Sequence, residues 1–242
     1  MPSDGLTIRD VTPTITTFST PFNRFAPFGY RKFVAVGNRA TAIRLHDNRI
    51  FLLNPIELEQ AVRDKLNKLG GVHLVASDLG HHMYVKDYVD AWPQAKTIGV
   101  PGLNHKRKDV RWDYIYKDWR TSPEDQFDFA QDIETQYHPS SSDQGPLSSE
   151  FAKRAHPRSV WAKRLVYHIA TVDYTLMRRD AKKVAEWNVE RIIPCHGDVL
   201  DSGGNEAWAL VYEWFLQGDA KTSIMKRLMS PIVKVARRVF LM

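Results

Sequence analysis

Val72-His73-Leu74-Val75-Ala76-Ser77-Asp78-Leu79-Gly80-His81-His82 is the stretch on which the reading of the fold turns. Residues 72–76 form a compact apolar run of strand length. Ser77-Asp78-Leu79-Gly80 is turn chemistry, and residues 81–91 read as a helix that Trp92-Pro93 stops. Residues 96–100 are a second apolar run, ended by Pro101-Gly102. Strand, helix, strand in this order predicts a parallel crossover. Ligands of α/β sheets gather at the C-terminal ends of such strands, where this sequence places two adjacent imidazoles.

Upstream, residues 14–19, 33–36, 41–45 and 49–53 are short runs suited to strands. Gly37-Asn38 and His46-Asp47-Asn48 read as the turns between them. An antiparallel meander ending at Asn54-Pro55 is therefore expected. Ile56, Leu58, Ala61, Val62, Leu66 and Leu69 then recur at helical spacing, and Gly70-Gly71 closes that helix. Downstream, residues 104–112 are basic and 121–134 acidic. Residues 139–149 are a Ser/Pro/Gly/Gln loop with the composition of disorder. Residues 159–187 read as helical with a break at 171–173. A short strand at 191–194 leads into Cys195-His196-Gly197-Asp198, and residues 206–216 read as an amphipathic helix rich in Trp and Tyr.

The chain has 242 residues, 43% hydrophobic and 26% charged, as expected of a globular protein. At this length roughly 70–75% of the unfolded chain's surface can be buried, so folding needs neither disulfide nor structural metal. Cys195 is the single cysteine, which excludes an internal disulfide. The polar start, with Asp4, Arg9 and Asp10, lacks a signal-peptide pattern, and no apolar run approaches the roughly 20 residues of a membrane span. A cytoplasmic protein is expected, with a nuclear one compatible. The net charge of +6 resides in residues 221–242, where Lys221, Lys226, Arg227, Lys234, Arg237 and Arg238 face no acid. Residues 1–220 balance, which argues against a nucleic-acid surface across the body. The expected organisation is one domain over 1–220, with an irregular loop near 139–149, and a basic amphipathic segment over 221–242.

The chemistry concentrates in two places. His81 and His82 offer two neutral imidazoles, the commonest protein metal ligand, with Asp78 beside them. His196 is delivered into a glycine turn, where Gly197 lets the backbone pass close to a bound group. Asp198 is placed to fix that imidazole from outside. Plain readings stand beside these. His81 as a helix N-terminal residue and His196-Gly197 as a tight bend need no metal. His168, in an apolar run, reads as a buried histidine, and Cys195 as a small buried thiol rather than a nucleophile. His105-Lys106-Arg107-Lys108 reads as a solvated loop, or as a contact for an acidic substrate or nucleic acid. Trp208, Tyr212, Trp214 and Phe215 read as packing residues.

The order of these features resembles the metallo-β-lactamase fold: meander, helix, strand, histidine turn, helix, strand with Pro-Gly, and a late strand ending in His-Gly. The nearer resemblance is to a fungal branch of that superfamily known only as a domain of unknown function. It rests on His81-His82 before an aromatic helix, Trp92-Pro93-Gln94-Ala95-Lys96, Pro101-Gly102-Leu103, and the run Arg191 to Asp198, in pieces between residues 14 and 216. It implies an α/β (α+β) protein, an αββα sandwich shortened in its second half. The superfamily's His-x-His-x-Asp-His motif falls on Ser77, Leu79, His81 and His82. The resemblance thus implies His82 and His196 as metal ligands with His81 as a substitute, and zinc, or iron or manganese, as the metal. A further His and a bridging Asp are usual between the motifs; here His138, His156, His168 and Asp173 are the residues at hand.

Two functions follow as expectations. One is a metal-dependent hydrolase acting on a small-molecule substrate, with Asp78 or Asp198 orienting a metal-bound water. The alternative is a catalytically inactive relative that binds a partner or small molecule, through its basic C-terminal segment; a chain with no metal is also open. Residues 221–242, with Ile224, Leu228 and Val235 set against the six basic residues, also suit a membrane surface.

Overall fold

The structure is a computed structural model that describes residues 5–22, 36–116, 123–135, 160–171 and 173–218. The expected loop at 139–149, His138, His156 and the basic segment 221–242 lie outside the described residues. The chain divides into two compact units, Met1–Arg24 with Val36–Tyr137, and Phe25–Ala35 with His138–Met242.

The first unit is built on a seven-stranded sheet in sequential order. Strands β1 (Thr7–Thr12), β2 (Ile15–Phe22), β3 (Val36–Arg44) and β4 (Ile50–Leu53) form the antiparallel meander. β5 (Leu74–Ser77), β6 (Lys96–Gly99) and the two-residue β7 (Tyr114–Ile115) continue it in parallel. Two features depart from the expected pattern. β1 lies in the polar start, where Thr7, Ile8, Arg9 and Asp10 are exposed and carry little apolar signal. Gly37-Asn38 is no turn: Gly37 pairs with Pro21 and Asn38 with Thr20 in unbroken register. The long β2 supplies ladder partners that a local reading of Gly-Asn cannot see.

Alternation along the strands divides the core between the two faces of the sheet. On one face Phe18, Ala40, Ala42, Ile50, Leu52 and Val75 meet helix α1 (Gln60–Leu69) and helix α2 (Val85–Ala91) through Val62, Leu66, Val85 and Tyr88. On the other, Phe51, Leu74, Ala76 and Ile98 pack with Tyr116 and Phe129. Each fully buried large side chain contributes about 1.5–3 kcal/mol. Helix α1 begins later than its apolar period suggests, with Ile56 buried ahead of it outside any helix or strand. It ends as expected: Gly70 and Gly71 take positive φ, and the Gly71 N–H returns to the Leu66 carbonyl at 2.9 Å.

The described residues of the second unit are mainly helical. Helix α5 (Val160–Arg164) runs into a π-helix (Leu165–Ala170) that stops at Thr171, whose hydroxyl donates to the Val166 carbonyl at 2.6 Å. Helix α6 (Tyr174–Ala185) restarts on an N-cap, Asp173, which accepts from the N–H groups of Thr175 and Leu176 at 2.8 and 3.0 Å. The break expected at 171–173 is thus present. The helix expected over 206–216 is two, α7 (Gly204–Val211) and α8 (Glu213–Leu216), meeting at Tyr212. Tyr167, Met177, Ala181 and Phe215 form the core, and the Trp208 indole donates to the Ala181 carbonyl at 3.0 Å. Short helices α3 (Leu103–Lys106) and α4 (Pro123–Gln126) complete the first unit.

Candidate metal centre

β5 delivers the chain at the C-terminal edge of the parallel strands, where Ser77 is still buried. Asp78 then captures the turn. Its Oδ1 accepts from the backbone N–H groups of Gly80 and His81 at 2.8 and 2.9 Å, an Asx turn. α2 starts only at Val85 rather than at His81 as the sequence suggested. The same carboxylate holds the His81 ring, with Nδ1 2.8 Å from Oδ1 and 2.9 Å from Oδ2. Burial works against ionisation of Asp78. The His81 hydrogen bond and charge and the two N–H groups outweigh it and hold the carboxyl below its ordinary value.

His82 sits against a cation. The Arg107 guanidinium donates to the backbone carbonyls of His82 and, at 2.9 Å, Met83. Asp109 orients that guanidinium through a fork at 2.8 and 2.7 Å and is itself drawn down to about 2 by Arg107. The Trp112 indole donates to the Arg107 carbonyl at 3.2 Å, and Lys106 Nζ donates to the Leu79 carbonyl at 3.2 Å. Burial first, then the charges of Lys106 and Arg107, lower the pKa of His82. Both favour the neutral ring, the form that ligates metal. The basic run read as a solvated loop is thus partly a clamp on the histidine turn. Its signal in the sequence is the Arg107-x-Asp109 spacing after Pro101-Gly102.

The other histidine lies in the second unit. The expected strand at 191–194 reduces to one antiparallel bridge between Ile192 and Leu200, with N–H···O distances of 3.0 and 2.9 Å. Pro194 has no N–H with which to extend it. Arg191 and Asp201, 3.3 Å apart, close the same loop base. Within the loop Cys195 and His196 are half-buried, Gly197 takes φ of 90°, and Asp198 is exposed. His168 is buried beside Tyr167 and Trp214, and Asp173 is a helix cap. The structure therefore brings Asp78, His81 and His82 together in one turn, and Cys195, His196 and Asp198 in one loop.

No protein-family model matches this sequence, and no curated protein does. Among solved structures, the chain is similar to the metallo-β-lactamase DIM-1 exposed to ceftazidime, with a TM-score of 0.55 at 14% identity over 89% of this chain and 98% of that one. It is similar to the metallo-β-lactamase FIM-1 from Pseudomonas aeruginosa in its mono-zinc form, at 0.57 and 10%, over 88% and 96%. A flavo di-iron protein mutant from Thermotoga maritima gives 0.53 and 10%, over 87% of this chain and 62% of that one. The protein thus has the metallo-β-lactamase fold, a mixed α/β architecture on a seven-stranded sheet. Among the described residues no helix is long and apolar enough to cross a membrane.

Proposed function

We propose that this chain is a metal-dependent hydrolase-like protein whose metal is held by His81, His82 and His196. The carrying observation is the pair of adjacent imidazoles at the strand edge, one oriented by a carboxylate and the other in a turn held by the Arg107 guanidinium. The donors fit a transition metal: imidazole suits zinc and iron alike, and Cys195 adds a soft donor to the loop of His196. Zinc is named with one solved relative and iron with another. Such a metal lowers the pKa of a bound water to near neutrality. Asp198, exposed at the loop tip, is the carboxylate that would orient such a water. The substrate would be a small molecule with a polarisable carbonyl or phosphoryl oxygen. The motifs at 92–96, 101–103 and 191–198 support kinship with the fungal branch of unknown function.

Chelator-free purification followed by elemental analysis tests this reading. About one equivalent of zinc, iron or manganese is expected, with a rise in melting temperature on adding metal to stripped protein. Both effects should fall in His82→Ala and His196→Ala. A chain with well under one equivalent and no thermal response overturns it. A second reading, an inactive relative, draws on Ser77 and Leu79 standing where the fold's usual first two histidines would be. It predicts that thermal behaviour is indifferent to metal.

A further inference from the structure

We propose that Asp78 is a positioning residue. It holds His81 in the Nδ1–H tautomer, so that Nε2 is the nitrogen offered to the metal. The inference rests on the metal reading above and deepens it.

The turn alone does not require this arrangement. Asp78 Oδ1 already satisfies the N–H groups of Gly80 and His81, which is all an Asx turn needs. The imidazole nevertheless lies on the same carboxylate, with Nδ1 within 2.9 Å of both oxygens. Its side chain is only 12% exposed, whereas that of Asp78 is 49% exposed. An aspartate is a carboxylate at the pH of the measurement, and a carboxylate only accepts hydrogen bonds. Nδ1 must therefore carry the proton, and the neutral ring has its lone pair on Nε2. Two contacts from one ring nitrogen to a carboxylate also fix the direction of the ring. This is the relation by which carboxylates orient metal-binding histidines from outside. Here the carboxylate comes from the residue three positions earlier, so strand end, turn and ligand are set by one side chain.

The test uses the full chain, labelled with 15N-histidine and stripped of metal, about two pH units above the ordinary histidine pKa. Long-range 1H–15N spectra read which ring nitrogen of His81 carries the proton. The wild type should show Nδ1–H. In Asp78→Asn the amide oxygen stays with the two backbone N–H groups, and the amide NH2 turns to the ring. Nδ1 then faces an NH2 donor beside the retained oxygen, so the preference for Nδ1–H should weaken and Nε2–H should appear. Asp78→Ser keeps a short acceptor for the turn without the carboxylate and should give a mixture of tautomers, a second variant should the first fold poorly. Zinc titration of the same samples should show a loss of roughly 10–100-fold in affinity for Asp78→Asn. An Nε2–H signal in the wild type, an unchanged tautomer in both variants, or undiminished zinc affinity in Asp78→Asn overturns the proposal. If the wild type binds no zinc, the metal reading falls, and the tautomer measurement alone upholds or overturns the hold of Asp78 on His81.

Discussion

The guanidinium of Arg107 donates to the backbone carbonyl of His82, joining a residue beyond β6 to the turn that follows β5. Arg107 is itself only 14% exposed and is gripped by Asp109. A forked cation between two carbonyls and a carboxylate cannot be copied by lysine, whose ammonium is a point donor. Arg107→Lys should cost about 2 kcal/mol in equilibrium unfolding, the scale of hydrogen bonds to a charged group. Arg107→Ala should also raise the pKa of His82, because one of the charges that lower it is gone. NMR titration of His82 reads that shift directly. An unmoved His82 would mean that burial and Lys106, without Arg107, set its pKa.

His46 and Asp132 form the second ionic contact with a predictable sign. Asp132 accepts from the His46 backbone N–H at 3.0 Å and lies 2.8 Å from its Nδ1. The hydrogen bond to Asp132 is the first cause of a raised His46 pKa, and the charges of Asp132, Asp47 and Asp128 add to it. A raised histidine pKa stabilises the fold fully below the unfolded value of about 6.5, and that stabilisation is lost as pH rises through the folded value. Asp132→Asn keeps an acceptor for the backbone N–H and removes only the charge. The melting temperature of the variant should fall below wild type at about pH 5.5, and the gap should close by about pH 8.5. A gap that widens with pH contradicts the assignment.

These contacts mark the boundary between what was legible in the sequence and what was not. The parallel crossover could be read because Val72, Leu74 and Val75 form a local apolar run, and Gly70-Gly71 and Pro101-Gly102 punctuate it. The break before Asp173 could be read for the same reason, as a cap signal next to its helix. Gly37-Asn38 was misread because its conformation is decided by Pro21 and Thr20 across the sheet, a partner far away in sequence. His81 reads as helical because Asp78 before it is as suited to cap a helix as to close the turn it actually forms with Gly80 and His81. The clamp of Arg107 was hidden for a related reason. A run of basic residues has the composition of a solvated loop, and only the fold shows that one of its cations points inward.

Tyr88 is fully buried on α2, and no described residue offers its hydroxyl a hydrogen-bond partner. Burial, the first cause, pushes its phenol far above the ordinary range. Its ring, 5.9 Å from that of Trp92, is core packing. Tyr88→Phe keeps the ring and removes an unsatisfied polar group that costs about 1–3 kcal/mol to bury. The variant should therefore be more stable by about 1 kcal/mol in denaturant titration, part of the gain being lost to the space left behind. A destabilised variant would reveal a partner for the hydroxyl.

Gly203 and Gly204 open α7 and should fail for different reasons when given a side chain. Gly203 has φ of 71°, which strains any L residue, but a Cβ there meets nothing within 4 Å. Gly203→Ala should cost about 1 kcal/mol, the strain alone. At Gly204 the backbone is unstrained, but a Cβ would lie 2.7 Å from the Val189 carbonyl oxygen and 2.9 Å from that of Glu190. These oxygens cannot swing aside as a side chain would, because the segment is already pinned. The Gly204 N–H donates to the Glu190 carbonyl at 2.8 Å, and Asn205 Oδ1 accepts from the Val189 N–H at 2.7 Å. Alanine's helix propensity favours the substitution by up to about 1 kcal/mol, whereas forced overpacking costs about 1–3 kcal/mol. With backbone as the obstacle the clash wins, and Gly204→Ala should lose about 2 kcal/mol in equilibrium unfolding. Equal losses at the two positions would mean that conformational freedom, rather than the close approach of residues 189–190, is what both glycines provide.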